Sequence, residues 1–204
     1  MTAFSKYYLF FVSIAIAATL MLIVFHGLLY WYQPVPKSEL AVLHDWVWHY
    51  FLVEPMPVLP NTDLLDMRSR RHLLDVKIIL NNLWGTLLIS ILVSLFLLVR
   101  FRHELKKLTK HVFYVNILIF SGFVILVFLD FRSAFVEVHY LLFPVNSWFF
   151  AQDSLLIQLF PLGYFQQFFY LWFAGCITLS LCLFMLSCRW PDFHEKSPHA
   201  NRNP

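Results

Sequence analysis

The sequence contains few charged residues and few glycines. Charged residues make up 13% of the 204 positions, and only five positions are glycine. A soluble domain averages roughly 25% charged residues, so a chain that is 60% hydrophobic must place much of its surface against lipid. The 23 phenylalanines and the scarcity of glycine argue against a flexible protein. The net charge of +3 is too small and too dispersed to suggest nucleic-acid binding.

The cysteines and the missing motifs exclude further classes of protein. Cys176 and Cys182 lie within an apolar run and Cys188 at its end, which excludes an extracytoplasmic disulfide framework and a thiol oxidase. There is no G-x-S-x-G motif of a serine hydrolase, and no histidine is followed at the fifth position by aspartate, as in glycerolipid acyltransferases. Because no outer cysteine can accept an acyl group, a covalent acyl-enzyme has no obvious carrier.

Long apolar segments predict an all-α membrane protein with four transmembrane helices and two extracytoplasmic loops that carry interfacial helices. A helix needs about 20 mostly apolar residues to span a bilayer. The first segment is longer than the apolar region of a signal peptide, so it is interpreted as a retained span. We predict one membrane domain over residues 1–190 and a disordered cytoplasmic tail at 191–204. The four spans lie at about 7–32, 76–99, 112–131 and 168–187.

Basic residues predict the orientation of these spans. The segment at 100–111 is rich in lysine and arginine, and the termini add further basic residues, which favours the cytoplasm for all three. The loops at 33–75 and 132–167 are then extracytoplasmic. An arginine group at 68–71 runs against the rule, but the tight basic turn decides the orientation.

The first outer loop is predicted to contain two helical segments. Pro34 and Pro36 end the first span. Apolar residues then recur at helical spacing over 40–51, which is typical of an amphipathic helix in the interface. Residues 61–63, Asn-Thr-Asp, are a candidate N-cap. The helix that follows would run directly into the second span.

His72 is the first candidate catalytic residue. In a continuous helix, His72, Asp75 and Asn82 fall on one stripe together with Arg68. A carboxylate beside an imidazole fixes its tautomer and raises its basicity, as a general base requires. The alternative is an interfacial histidine that makes a local hydrogen bond, and the spacing alone does not separate the two.

His139 is the second candidate, within the segment 138–161 between the last two spans. In an extended segment it would share a face with Glu137. It precedes an aromatic wall that includes Trp148, which is interpreted as a packing anchor rather than a catalyst. Asp153 opens a short apolar stretch that is a candidate N-capped turn. The alternative is an anchoring loop in which His139 is incidental.

The other histidines are weaker candidates. His26 lies within the first span, where an ionisable group is functional or buried against the bundle. His44 and His49 lie on the interfacial helix and are interpreted as surface groups. His194 is followed by glutamate, but its spacing to the next histidine differs from a zinc-protease motif. No metal site is predicted.

Two segments together resemble a known family. The first is the run His139-Tyr-Leu-Leu-Phe-Pro with Trp148 and Asp153 after it, and the second is Arg-His72-Leu-Leu-Asp75-Val-Lys entering the second span. Both resemble the bacterial lipoprotein intramolecular transacylases (Lit), and the resemblance covers the chain to about residue 190. It implies four spans in the bacterial cytoplasmic (inner) membrane, with both motifs outside. The sequence departs from the family pattern in a shorter segment after Trp148 and in basic residues before His72.

The resemblance implies acyl transfer within a diacylglyceryl-modified bacterial lipoprotein held in membrane lipid. The sn-2 acyl chain on the N-terminal cysteine moves to the α-amine of that cysteine, which gives a lyso-form lipoprotein. His72, oriented by Asp75, would act as the base, and His139 would protonate or stabilise the ester oxygens, although the roles could be exchanged. No metal, other cofactor or nucleic acid is required. Residues in supporting positions would be Asp75, Arg68, Asn82, Glu137, Trp148 and Asp153.

Three other functions stay open at the level of the sequence. A b-type cytochrome would use His72 and His139 as axial haem ligands and would show a Soret band. A non-catalytic membrane scaffold would keep its function when both histidines are replaced. An acyl hydrolase or transferase that acts on free phospholipid would turn over labelled phospholipid without any lipoprotein.

Overall fold

The chain is all-helical in the residues that the structure, a computed structural model, describes: 3–33, 38–56, 58, 63–144 and 147–189. Short 3-10 turns at Ser38–Leu40 and Arg102–Glu104 precede the second and fourth helices. No strand occurs in these described ranges. The helices are α1 (Ala3–Trp31), α2 (Ala41–Leu52), α3 (Met67–Arg100), α4 (Leu105–Leu142), α5 (Leu155–Leu159) and α6 (Leu162–Cys188).

Three segments are long and apolar enough to cross a bilayer: Tyr8–Trp31, Met67–Arg100 and Leu155–Cys188, which contains α6. They correspond to three of the four predicted spans, and α4 covers the position of the other one at 112–131. The protein is therefore an all-α integral membrane protein, as predicted. The count of four spans stays a prediction.

The four long helices form a bundle in which α1 contacts α3, α4 and α6, and α4 packs against α6. Small and apolar residues of α1, such as Ala17 and Val12, are buried against α4. Thr19 of α1 and Ser94 of α3 join through a 2.7 Å hydroxyl contact. Polar contacts of this kind hold membrane helices together, since lipid supplies little hydrophobic driving force between them.

The short helix α2 covers one end of the bundle and is more deeply buried than the sequence suggests. Leu43, Val47 and Phe51 face the core, as the helical spacing predicts. His44 is only 2% exposed, so its interpretation as a surface group is wrong. It follows Leu43 on the same face, and its Nε2 accepts a 2.9 Å hydrogen bond from Trp48 Nε1. His49 lies on the outer side and is exposed.

A buried lysine fastens α2 to α3. Lys77 is 2% exposed, and its Nζ donates a 2.8 Å hydrogen bond to the carbonyl oxygen of Phe51 in the last turn of α2. The ammonium also lies 5.9 Å from the centre of the Tyr50 ring. A cation at this end of a helix is favourable, because the carbonyls of the last turn carry partial negative charge. This contact fixes α2 over the start of the second predicted span.

Helix α3 begins later than the sequence predicts and then runs without interruption into the second predicted span. The N-cap is Asp66, whose carboxylate accepts a 2.6 Å hydrogen bond from the amide of Ser69. Asp63, part of the predicted cap, lies in a turn before it, and the other residues of that cap lie outside the described ranges, as do Pro34 and Pro36. The predicted N-cap at 61–63 is therefore wrong, because Asp66 satisfies the free amides of the first turn instead.

Helix α4 changes direction at Asp130, which has extended rather than helical torsion angles (φ −159°, ψ 86°). The Asp130 carboxylate accepts a 3.1 Å hydrogen bond from the amide of Ser133, so it caps the helical segment that follows. Residues 131–142 are therefore helical, although the sequence predicts a loop from residue 132 onward. The break lies at the predicted end of the third span.

Candidate active site

The first catalytic candidate, His72, lies in the second turn of α3 and points into an aromatic enclosure. Its ring centre is 4.7 Å from that of Phe143 and 5.5 Å from that of Phe150. The side chain is buried, and its Nδ1 has no hydrogen-bond partner among the described residues. Burial of a charged group in apolar surroundings is unfavourable, so this environment favours the neutral imidazole.

Asp75 does not orient His72. No hydrogen bond or ion pair joins the two side chains in the described part of the chain, and the His72 Nδ1 is left without a partner. The side chains of two residues three positions apart in a helix project in directions about 60° apart around the helix axis. His72 faces α4 and the segment after it, and Asp75 is therefore turned to one side. The expectation that this carboxylate fixes the His72 tautomer is wrong.

The second candidate, His139, lies in the last turn of α4 and not in a loop. Its Nδ1 is 2.8 Å from the carbonyl oxygen of Phe135, one turn earlier. A carbonyl oxygen can only accept, so Nδ1 carries the proton in the neutral ring and Nε2 keeps a lone pair. Burial lowers the pKa of His139, and the Phe135 carbonyl acts in the opposite direction but less strongly. The imidazole is thus neutral near pH 7, with Nε2 as its basic atom.

The fold brings the two imidazoles together from segments 67 residues apart in the chain. Their ring centres are 6.3 Å apart, and the ring planes differ by 27°. Phe143 contacts both, at 4.7 Å from His72 and 5.2 Å from His139. The two imidazoles are therefore close enough to act on the same small group of a substrate.

Two other predicted supporting residues are not brought to the histidines. Glu137 is exposed, and because residues 131–142 are helical it lies about 160° around the axis from His139. The expectation that they share a face depended on an extended segment and is wrong. Asn82 is also exposed and lies ten residues below His72 on α3, about 15 Å along the axis.

Trp148 closes the site beside His139, with its ring centre 5.0 Å from the imidazole. It stacks on Phe149 at 4.0 Å and forms an edge-to-face contact with Tyr140 at 5.1 Å. Arg68, from the first turn of α3, donates a 3.2 Å hydrogen bond to the carbonyl oxygen of Phe149. This bond ties the Trp148 segment to the helix that carries His72.

The last supporting residue, Asp153, precedes α5 but does not cap it. Ser154 is the N-cap, and its hydroxyl accepts a 3.4 Å hydrogen bond from the amide of Ile157. The side chain of Asp153 is exposed, and its backbone carbonyl accepts a bond from Gln158. The short apolar stretch is a capped turn as predicted. Its buried side, Leu156 and Leu159, packs in the same cluster as α2.

The site therefore combines two neutral imidazoles with walls of aromatic carbon. Sequence reasoning missed the Phe135 carbonyl as the partner of His139, although four-residue spacing in a helix could have indicated it. Among the described residues, no three histidine, cysteine or carboxylate side chains lie together as a metal site would require. The arrangement suits proton transfer on an apolar, lipid-borne molecule.

Comparisons with known proteins agree with this picture. A model of the family "Lipoprotein intramolecular transacylase Lit" matches residues 1–165. The solved structure of the membrane-integral transacylase Lit from Bacillus cereus superposes with a TM-score of 0.72 and 19% identity, over 92% of this chain and 96% of that chain. A variant of that protein with a histidine replaced by alanine superposes with a TM-score of 0.66 and 16% identity, over 90% and 93% of the two chains. No curated protein matched. At these identities the superpositions establish the fold alone.

Proposed function

Because the chain belongs to the lipoprotein intramolecular transacylase (Lit) family, we propose that His72 and His139 carry out its acyl transfer. The protein is an integral membrane transacylase of lipoproteins. We assign it the reaction in which the sn-2 acyl chain of an S-diacylglyceryl cysteine moves to the α-amine of the same residue. The observation that carries the assignment is the 6.3 Å separation of the two enclosed imidazoles.

His139 is the general base in this proposal. The Nδ1 bond to the Phe135 carbonyl leaves Nε2 as the basic nitrogen, which exchanges the roles that the sequence analysis placed first. As the amine nitrogen attacks the ester carbonyl carbon, Nε2 removes its proton. A C–N bond forms, the bond from the carbonyl carbon to the glyceryl oxygen breaks, and the same proton returns to that oxygen. General base catalysis of this kind contributes about 10²- to 10⁴-fold.

His72 faces the departing side of the ester. A neutral imidazole can donate a hydrogen bond to the glyceryl oxygen while negative charge develops on it. Its aromatic surroundings, Phe143 and Phe150, are compatible with acyl chains and with the neutral state of the ring. Much of the barrier can be removed by positioning, since effective molarities of well-oriented intramolecular reactions reach about 10⁵ M or more.

The length of α3 supports an extracytoplasmic site in the inner membrane. His72 lies 28 residues before Arg100, which corresponds to about 42 Å of helix. The hydrocarbon core of a bilayer is about 30 Å thick, so His72 and the basic turn that follows α3 would lie on opposite sides. If the basic turn is cytoplasmic, the histidines meet the lipoprotein at the outer headgroup layer. The N- and C-termini would both be cytoplasmic.

Replacement of each histidine tests the assignment. In a strain without other N-acylating enzymes, His139→Ala and His72→Ala should lower the yield of lyso-form lipoprotein at least about 100-fold, as read by mass spectrometry of lipoprotein N-termini. His49→Ala, on the exposed side of α2, is the matched control and should behave as the wild type. Normal yields from both site variants at normal protein levels would refute the proposal. Turnover of labelled phospholipid without lipoprotein would point to a different acyl transfer.

A further inference from the structure

Trp148 is a buried indole whose N–H group has no partner among the described residues. The side chain is 8% exposed and Nε1 is enclosed, yet no hydrogen-bond acceptor contacts it within the described ranges. An indole nitrogen can only donate. Buried donors are nearly always satisfied in native proteins, so an unsatisfied one beside a candidate base needs an explanation.

Two other indoles in the described structure do have an acceptor. Trp48 Nε1 donates to His44 Nε2 at 2.9 Å, and Trp172 Nε1 donates to the carbonyl oxygen of Met21 at 2.8 Å. Those two tryptophans lie in α2 and α6, away from His72 and His139. Trp148, whose buried N–H has no acceptor in the described structure, lies 5.0 Å from His139 between ring centres.

We propose that the Trp148 indole N–H is the hydrogen-bond donor to the carbonyl oxygen of the scissile ester. This inference rests on the proposed function of His139. When the amine attacks, the carbonyl oxygen becomes an oxyanion, and a donor that is already in place stabilises it. The donor is neutral and its ring is apolar, so it can lie against acyl chains without the cost of a buried charge.

The local structure holds Trp148 in place for this role. Phe149 stacks on the indole at 4.0 Å, Tyr140 forms an edge-to-face contact with it at 5.1 Å, and Arg68 fixes the backbone of the segment. Positioning matters because oxyanion donors act only when they are placed before the charge develops. The base on one side and the donor on the other would thus enclose the reacting carbonyl.

The decisive variant is Trp148→Phe, which keeps an aromatic ring and removes the N–H. Purified in detergent and given a synthetic diacylated lipopeptide, this variant should lose about 10²- to 10³-fold in kcat, as loss of an oxyanion donor does elsewhere. KM and the unfolding temperature should stay near the wild-type values. Trp46→Phe, on α2, is the matched control and should retain full activity. A Trp148→Phe variant with near wild-type kcat would overturn the inference.

A spectroscopic measurement separates this role from simple packing. In protein labelled with ¹⁵N-tryptophan, the Trp148 indole proton resonance should move downfield when the lipopeptide binds to the slow His139→Ala variant. A resonance that does not move under saturating lipopeptide would also overturn the inference. Activity of His139→Ala itself decides the underlying proposal: an active His139→Ala refutes the base, whereas an inactive one with a fully active Trp148→Phe refutes only the donor.

Discussion

Two pairs of histidine and tryptophan in the described structure, His44 with Trp48 and His139 with Trp148, differ in whether the indole N–H has a hydrogen-bond partner. In the cap, Trp48 Nε1 donates to His44 Nε2 at 2.9 Å. In the site, Trp148 and His139 lie side by side at 5.0 Å between ring centres, and the indole N–H has no partner in the described structure. The first pair makes its mutual hydrogen bond, although His44 Nδ1 has no hydrogen-bond partner among the described residues, whereas the second pair leaves the indole N–H without an acceptor.

This difference shows why residue type and burial do not identify a site by themselves. Both histidines are enclosed by aromatic rings, and both lie near the outer end of the bundle in the proposed orientation. What distinguishes His139 is that its Nδ1 is held by a backbone carbonyl while Nε2 remains available. His44 uses its Nε2 for structure, so it has no free basic nitrogen.

Replacing His44, which accepts the hydrogen bond from Trp48, should give the largest effect on stability. His44→Phe leaves the buried Trp48 N–H without its acceptor, which costs about 1–3 kcal/mol. The unfolding temperature in detergent should fall by several degrees, whereas kcat of the folded fraction should stay at the wild-type value. His49→Gln, on the exposed side of the same helix, should change neither. A His44→Phe protein of unchanged stability would contradict the structural role of this pair.

The pair of Trp148 and His139 should lose activity rather than stability when the hydrogen bond that holds the backbone beside Trp148 is removed. Arg68→Met deletes the hydrogen bond to the Phe149 carbonyl. One such bond contributes about 0.5–1.5 kcal/mol net, so Trp148 should leave its position more often and kcat should fall about twofold to tenfold. Stability should change less than in His44→Phe, because Arg68 is exposed. The measurement is a kinetic assay with a thermal melt on the same sample, and Arg71→Met is the control. A larger loss of stability than of kcat would reverse the comparison.

The smallest expected effect is a pH dependence of stability from His139. Burial lowers the pKa of this group in the folded protein, below the value of about 6.5 expected in the unfolded chain. Above about pH 6.5 the ring is neutral in both states, so it adds no pH dependence to the free energy of unfolding. As the pH falls from there through the lower pKa of the folded state, the unfolded state binds more protons and stability declines. The unfolding temperature of the wild type should therefore drop more between pH 7 and pH 5 than that of His139→Gln. His72 is present in both proteins, so equal slopes would show that His139 is not the cause.

The helices follow from local patterns, and the sequence predicts them well. Apolar runs of sufficient length, together with the basic turn, gave the long helices. The spacing over 40–51 gave the buried face of α2. The Lit resemblance rested on the residues around His72 and His139, and the family match bears it out.

The errors arose where a contact depends on distant parts of the chain. The helical spacing predicts Asp75 as the partner of His72, but the imidazole faces rings that come from the segment after α4. Glu137 was paired with His139 on the assumption of an extended loop, and only the cap at Asp130 reveals that the segment is helical. The local sequence does not reveal the structural role of Lys77, because its acceptor, Phe51, belongs to another helix.

The break at Asp130 divides α4 into two helical segments, residues 105–129 and residues 131–142. The first segment covers the predicted third span, and the second carries His139 beside His72. Because the Asp130 carboxylate caps a new helical segment, the direction in which His139 points follows from residues 130–142 and not from a straight continuation of the spanning helix.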